Sequence, residues 1–249
     1  MSPTRIPLRG CAGLIAAVVI GGCGNSSPPA SPASPASQAP KAAPAPSFVV
    51  SREQFERVFP HRNSFYTYDG LVGALGQYPD FTTTGDDVTR RREASAFLAQ
   101  VAHETNGLTL VTETDKTTNY CDASLPYGCP AGPLAYFGRG PMQVSWNYNY
   151  HGAGDAIGLN LLADPALVER DQVVAWKTAL WFWNTQPGES IATPHDAMTL
   201  GFGFGETIRA INGHVECNGA SPAQVEDRVN AYQRITAELG VTPGEALTC

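Results

Sequence analysis

Two glutamates nine positions apart, Glu104 and Glu113 in the stretch QVAHETNGLTLVTETD, have the residue type and the contrasting settings of a general acid and a general base. Glu104 follows Phe97 by seven residues and Val101 by three, just ahead of Asn106-Gly107, so it belongs on or beside the buried face of a helix's last turn. A partly desolvated carboxyl holds its proton more tightly, which is what an acid catalyst needs. The structural alternative is an ion pair, with Arg228 or Lys177 neutralising Glu104. Glu113 lies past the glycine stop among threonines and Asp115, where a wet loop would keep a carboxylate ionised and able to orient water. Two carboxyls whose surroundings push them toward opposite protonation states form the usual acid and base pair of glycoside hydrolysis.

The elements that must position them are mostly helical. The stretch DDVTRRREASAFLAQVAHETNG has an aspartate cap, a stripe of Ala94, Phe97, Leu98 and Val101, and the Asn-Gly stop, predicting a helix that delivers Glu104. Shorter helices are predicted in FVVSREQFERVFP and SFYTYDGLVGALGQYPDF. VVAWKTALWFW is apolar nearly all round and predicts a buried central helix, with Trp176, Trp181 and Trp183 as core. GFGFGETIRAINGHVECNG reads as a glycine-rich turn followed by a helix, without the strand that a phosphate-cradling loop requires. A last helix, SPAQVEDRVNAYQRITAELG, carries Val225, Val229, Tyr232 and Ile235 on one face. Between them YFGRGPMQVSWNYNY gathers aromatic, amide and hydroxyl groups round a Gly-Arg-Gly-Pro turn. It is either a carbohydrate-binding wall or a core hairpin with incidental amides.

The start of the chain looks like an export apparatus. Residues 1–23 carry Arg5 and Arg9, a short apolar run from Ala12 to Ile20 and small residues before Cys23, as a bacterial signal with a lipidation site at Cys23 would. Residues 24–47, almost wholly Ser, Pro and Ala, have nothing to bury and read as a disordered spacer. In polyproline form it would reach roughly 70 Å. The domain expected over residues 48–249 then has 13 basic against 23 acidic side chains, a formal charge of −10. That excludes a nucleic-acid partner, whose phosphates need a basic face, and disfavours anionic wall polymers, while a neutral polysaccharide is indifferent to it. Four cysteines remain for bridges, Cys121, Cys129, Cys217 and Cys249. Three pairings are open, the local one, Cys121–Cys129 with Cys217–Cys249, being the simplest. Neither their spacing nor that of the five histidines forms a metal motif, and no metal or other cofactor is expected.

Taken together, FYTYDGLVGALGQYPDF, REASAFLAQVAHETNG, YFGRGPMQVSWNYNY, AWKTALWFWNTQ and AINGHVEC closely resemble the chitinases of glycoside hydrolase family 19, in that family's order across residues 48–249. The resemblance implies a mainly α, lysozyme-like, two-lobed α+β fold with a central substrate cleft. It also implies endo-hydrolysis of β-1,4-linked N-acetylglucosamine in chitin or its oligomers, with inversion. Nothing in the sequence suggests more than a monomer. By resemblance Glu104 is the proton donor and Glu113 the base. Gln143, Ser145, Tyr148 and Asn149 are substrate-binding positions, with Ser145 helping to hold the attacking water. His103, Lys177 and Asn212 match other cleft positions, Glu216 and Arg228 support the donor from behind, and the two local bridges match the family's cysteine pairs. The plant enzymes place their two glutamates further apart across a loop missing here, so Asp115 and Asp122 are rival bases and the cleft is expected to hold fewer sugars. A wall-degrading muramidase of the same fold and a silent chitin-binding lectin are the alternative functions. Inversion requires the two carboxyls to stand about 6.5–9.5 Å apart, leaving room for water between base and sugar.

Overall fold

The structure, a computed structural model, describes residues 48–249; the expected signal (1–23, with Cys23) and spacer (24–47) lie outside the described residues. Helix starts follow the cap chemistry of the sequence. α1 (Arg52–Val58) opens with a capping box in which Ser51 and Gln54 each satisfy the other's backbone N–H. α2 (Tyr68–Ala74) starts on Thr67 and runs into a single 3-10 turn, Leu75–Gln77. α3 (Asp87–Glu104) is capped by Asp86, which accepts from the Thr89 N–H at 2.7 Å. It ends where Asn106 and Gly107 turn to φ 50° and 74°, the Gly107 N–H closing onto the Ala102 carbonyl at 2.7 Å. There follow α4 (Asn147–Ile157), α5 (Leu167–Arg170), α6 (Gln172–Thr185), α7 (Pro194–Thr199), α8 (Phe204–Glu216) and α9 (Pro222–Glu238). Strand pairing among the described residues is confined to the isolated bridges Thr112–Arg139 and Arg139–Val144.

α3 packs on α7, α8 and α9, whereas α6 packs on α2, α4 and α5. The two groups meet through aromatic rings: Phe97 of α3 lies edge-on to Trp183 at 5.4 Å and tilted against Trp176 at 6.2 Å, both on α6. All three predicted core tryptophans are buried, as are Val225, Tyr232 and Ile235 on α9, with Val229 packed at the margin. The bridges are Cys121–Cys129 and Cys217–Cys249, the second fastening the chain's last residue to the end of α8.

A buried ion pair adds a polar rivet to this seam. Glu93, inside α3 and fully buried, accepts from Trp183 Nε1 at 3.1 Å and the Thr82 N–H at 2.8 Å, and pairs with His195 Nδ1 at 2.6 Å. Burial alone would lower the His195 pKa, but the hydrogen bond and charge of Glu93, with Asp196 and Asp80 adding to them, hold it above the ordinary 6.5. The pair's stabilisation is therefore complete below pH 6.5 and lost as pH rises through the higher folded value. His195→Gln is expected to cost about 1–2 kcal/mol near pH 6, with the gap to the parent narrowing toward pH 9. Urea unfolding at the two pH values measures it.

Candidate active site

Glu104 closes α3 with 14% of its side chain exposed, and its neighbour is a cation. Arg228, wholly buried on α9, donates from Nη2 to Glu104 Oε1 at 2.6 Å. The same guanidinium grips Glu216 through Nε and Nη2, both at 2.7 Å, and donates from Nη1 to Gln100 Oε1 at 2.6 Å. Glu216 also accepts from Asn212 Nδ2 at 2.8 Å. Asn212 can reach it because α8 breaks there, with φ −139° and ψ 31°. Burial would push the Glu216 carboxyl up, but the Arg228 hydrogen bonds and charge outweigh it, helped by Asn212 and by the nearby His103, and hold it below the usual carboxylate range.

Of the two settings expected for Glu104, partial burial and an ion pair, both are present. Arg228, weighed in the sequence as a structural partner, sits directly against Glu104, while Lys177 forms no ion pair among the described residues. Two carboxyls share one guanidinium, and one positive charge can neutralise only one of them. Glu216, held by a two-pronged contact plus an amide, claims that charge. Glu104 keeps a single N–H, from an Nη2 that also donates to Glu216.

Glu113 is placed by the irregular segment after α3. Its N–H donates to the Gly138 carbonyl at 2.9 Å, two residues beyond the point where Val111 accepts from the Gly140 N–H at 2.9 Å. Glu113 Oε2 accepts from the Tyr120 hydroxyl at 3.1 Å, while Oε1 is buried and has no protein partner. A methyl at Gly138 would lie 3.1 Å from Gln143 Oε1 and 3.3 Å from Glu113 Oε2, so a side chain there would press on both where they converge. The rival carboxyls are otherwise engaged. Asp115 and Asp122 are fixed below their ordinary pKa by side-chain and backbone hydrogen bonds from Thr117 and Ser124, capping their own turns.

A cavity of about 260 Å³ opens beside Glu104, bounded by Glu104, Gln143, Ser145, Tyr148, Asn149 and Asn212. One wall comes from α3 and α8 and the other from the 142–149 segment and α6, so it lies between the two helix groups. Glu113 is not on this lining, and neither are two of the predicted substrate-binding residues. His103 turns its Nδ1 to Asp227 Oδ2 at 2.7 Å, and Lys177 is half-buried on α6. Sequence reasoning missed Trp146 and Phe182, which line the cavity. It missed Arg139 too, whose buried guanidinium organises the turn beneath Gln143 by donating to Ala135 O and Tyr150 Oη and lying 3.5 Å over the Phe137 ring. The arginine in the Gly-Arg-Gly-Pro turn, flanked by aromatic residues, was the available signal.

Comparison with known proteins agrees with this geometry. A family model described as glycoside hydrolase 19, chitinase class I, matches residues 49–249. Endochitinase A of Zea mays is 48% identical over 187 residues, 75% of this chain but 63% of the maize enzyme, so the chain spans just under two thirds of that relative. Chitinase C from Streptomyces griseus HUT6037 superposes with a TM-score of 0.79 at 56% identity, covering 81% of both chains. A crystal structure of a bacterial family 19 chitinase gives 0.79 at 58% identity, covering 81% of this chain and 100% of that one.

The shared guanidinium makes a stability prediction. Arg228→Ala strands two carboxyls in a buried site and is expected to cost about 3–5 kcal/mol in urea unfolding. Adding Glu216→Gln should recover part of it, because one stranded charge is removed.

Proposed function

This chain belongs to glycoside hydrolase family 19, and from that premise we propose that it is an endochitinase cleaving β-1,4 links between N-acetylglucosamine units with inversion. The observation that carries the reading is the unequal provision made for the two glutamates. Glu104 shares its only cation with Glu216 at the edge of a cleft; Glu113 holds one hydrogen bond and an unpartnered oxygen. A carboxylate has about four acceptor positions, so Glu113 has capacity left for a water.

In the proposed reaction Glu104 gives its proton to the glycosidic oxygen as the bond breaks, and Glu113 takes a proton from water attacking the opposite face of the anomeric carbon. Arg228 then faces two carboxylates, and its second interaction strengthens as Glu104 becomes charged, so charge generated in the step meets a donor already in place. Gln143, which converges with Glu113 at Gly138, and Ser145, on the cavity lining, fit a role in holding the water, and Asn149, Asn212 and Tyr148 fit hydroxyl, acetamide and ring faces of the sugar. His103 and Lys177 would meet sugars further along the polymer. The formal charge of −10 over residues 48–249 suits an uncharged substrate. Export, with a lipid at Cys23 holding a monomeric enzyme to the outer face of a membrane, completes the reading, since residues 1–47 supply both a signal pattern and a spacer.

Glu104→Gln and Glu113→Gln should each lower kcat by roughly 10²–10⁴-fold, with KM changed little. Digestion of a chitin hexamer followed at once by proton NMR should show α-anomers at the newly formed reducing ends. β-Anomers there would remove inversion, and cleavage of purified peptidoglycan without cleavage of chitin would overturn the substrate.

A further inference from the structure

Glu113 receives a single side-chain hydrogen bond among the described residues, and it comes from Tyr120. Tyr120 is itself held at two further points. Its carbonyl accepts from the Asn147 N–H at 3.0 Å, tying it to the first residue of α4. Its ring stands edge-on to Trp146 at 5.6 Å and 83°. Trp146 in turn lines the cleft and stacks on the half-exposed Tyr148 at 5.6 Å and 18°. One phenol therefore connects the carboxylate that would take water's proton to the aromatic wall against which a sugar would lie.

We propose that Tyr120 is the positioning residue of the catalytic base: its hydroxyl donates to Glu113 Oε2, fixes the carboxylate's rotation and stabilises its ionised form. This rests on Glu113 being the base. The phenol is suited to the task because burial, and then the charge and hydrogen bond of Glu113, raise its pKa, so it stays a donor wherever the enzyme works. Among the described residues no other side chain donates to Glu113: Asp115 takes the Thr117 hydroxyl for its own turn, and Lys116 stands over the Phe137 ring at 4.6 Å. A carboxylate left with neither oxygen bonded in a half-buried site would favour its protonated form and could not accept a proton from water.

Tyr120→Phe keeps the ring against Trp146 and removes only the hydroxyl, so the fold should be untouched and the melting temperature should confirm it. With a chitin oligomer as substrate, kcat is expected to fall about tenfold near pH 6 with KM within about twofold, and the acid limb of kcat/KM to move up by about one pH unit. An acid limb that stays in place overturns the proposal, whatever happens to kcat, since a purely structural tyrosine would leave it there. Glu113→Gln measured alongside separates the two levels. If that variant is nearly dead while Tyr120→Phe matches the parent, the base stands and Tyr120 has no such role; if it is fully active, the base assignment falls and this inference with it.

Discussion

One buried cation organises the acid side of the site. Arg228 is fully buried on α9 and donates to Glu104, Glu216 and Gln100, so helices α3, α8 and α9 are all joined through a single guanidinium. Such a charge is tolerable in the interior only because every direction of its planar fork meets an acceptor. The consequence is a fixed count: two carboxyls against one positive charge. Glu216 is the better held, so the imbalance is displaced to Glu104, the member that faces the cleft. Structure and chemistry are set by the same contact. The group that holds the helices together is also the one that touches the proposed proton donor.

The proposed base is organised on a different plan. Glu113 lies outside any helix, and its place is set by backbone contacts to Gly138 and, two residues earlier, Gly140. Those glycines belong to a turn that Arg139 nails down by donating to Ala135 O, Phe137 O and Tyr150 Oη. Arg228 and Arg139 are thus counterparts, each a buried arginine behind one of the two glutamates. The first touches its glutamate; the second acts only through backbone geometry. A carboxylate that must take up a proton is better without a guanidinium against it, because a full positive charge at contact distance would weaken it as a base. The phenol of Tyr120 donates without that penalty.

Helix content was legible because it rests on local signals: Asp86, Ser51, Thr67 and Asp171 cap helices, and Asn106-Gly107 ends α3. Glu104 could be placed on its half-buried turn from the positions of Phe97 and Val101 alone. The pairing Cys121–Cys129 with Cys217–Cys249 was the simplest of three and is the one found. What sequence could not decide is which cation meets which carboxylate across long separations. Glu104 and Arg228 are 124 residues apart, and nothing periodic distinguishes Arg228 from Lys177 as the partner. Trp146 was hidden for a similar reason. Its φ of 70° turns the ring toward the cleft at the threshold of α4, an orientation imposed by the Tyr136 and Tyr120 carbonyl contacts on either side of it.

Backbone strain gathers where the chemistry is proposed. Asn106 and Leu108, between the two glutamates, and Gln143 and Trp146, on the opposite wall, are non-glycine residues with positive φ, at 50°, 61°, 44° and 70°. Such conformations cost about 1–3 kcal/mol each and persist only where the surroundings over-determine them. Here the surroundings do so: Leu108 is wholly buried and its carbonyl accepts from the Asn63 N–H, and Gln143 is clamped to the Gly140 carbonyl by both backbone and side chain. Relaxing Gln143 toward an ordinary φ would swing its amide out of the cavity and open the narrow gap beside Gly138. The helical body, with its aromatic seam and two bridges, supplies the stability against which this strain is held, and the strained turns are what bring the Gln143 amide and a loop carboxylate to the same point.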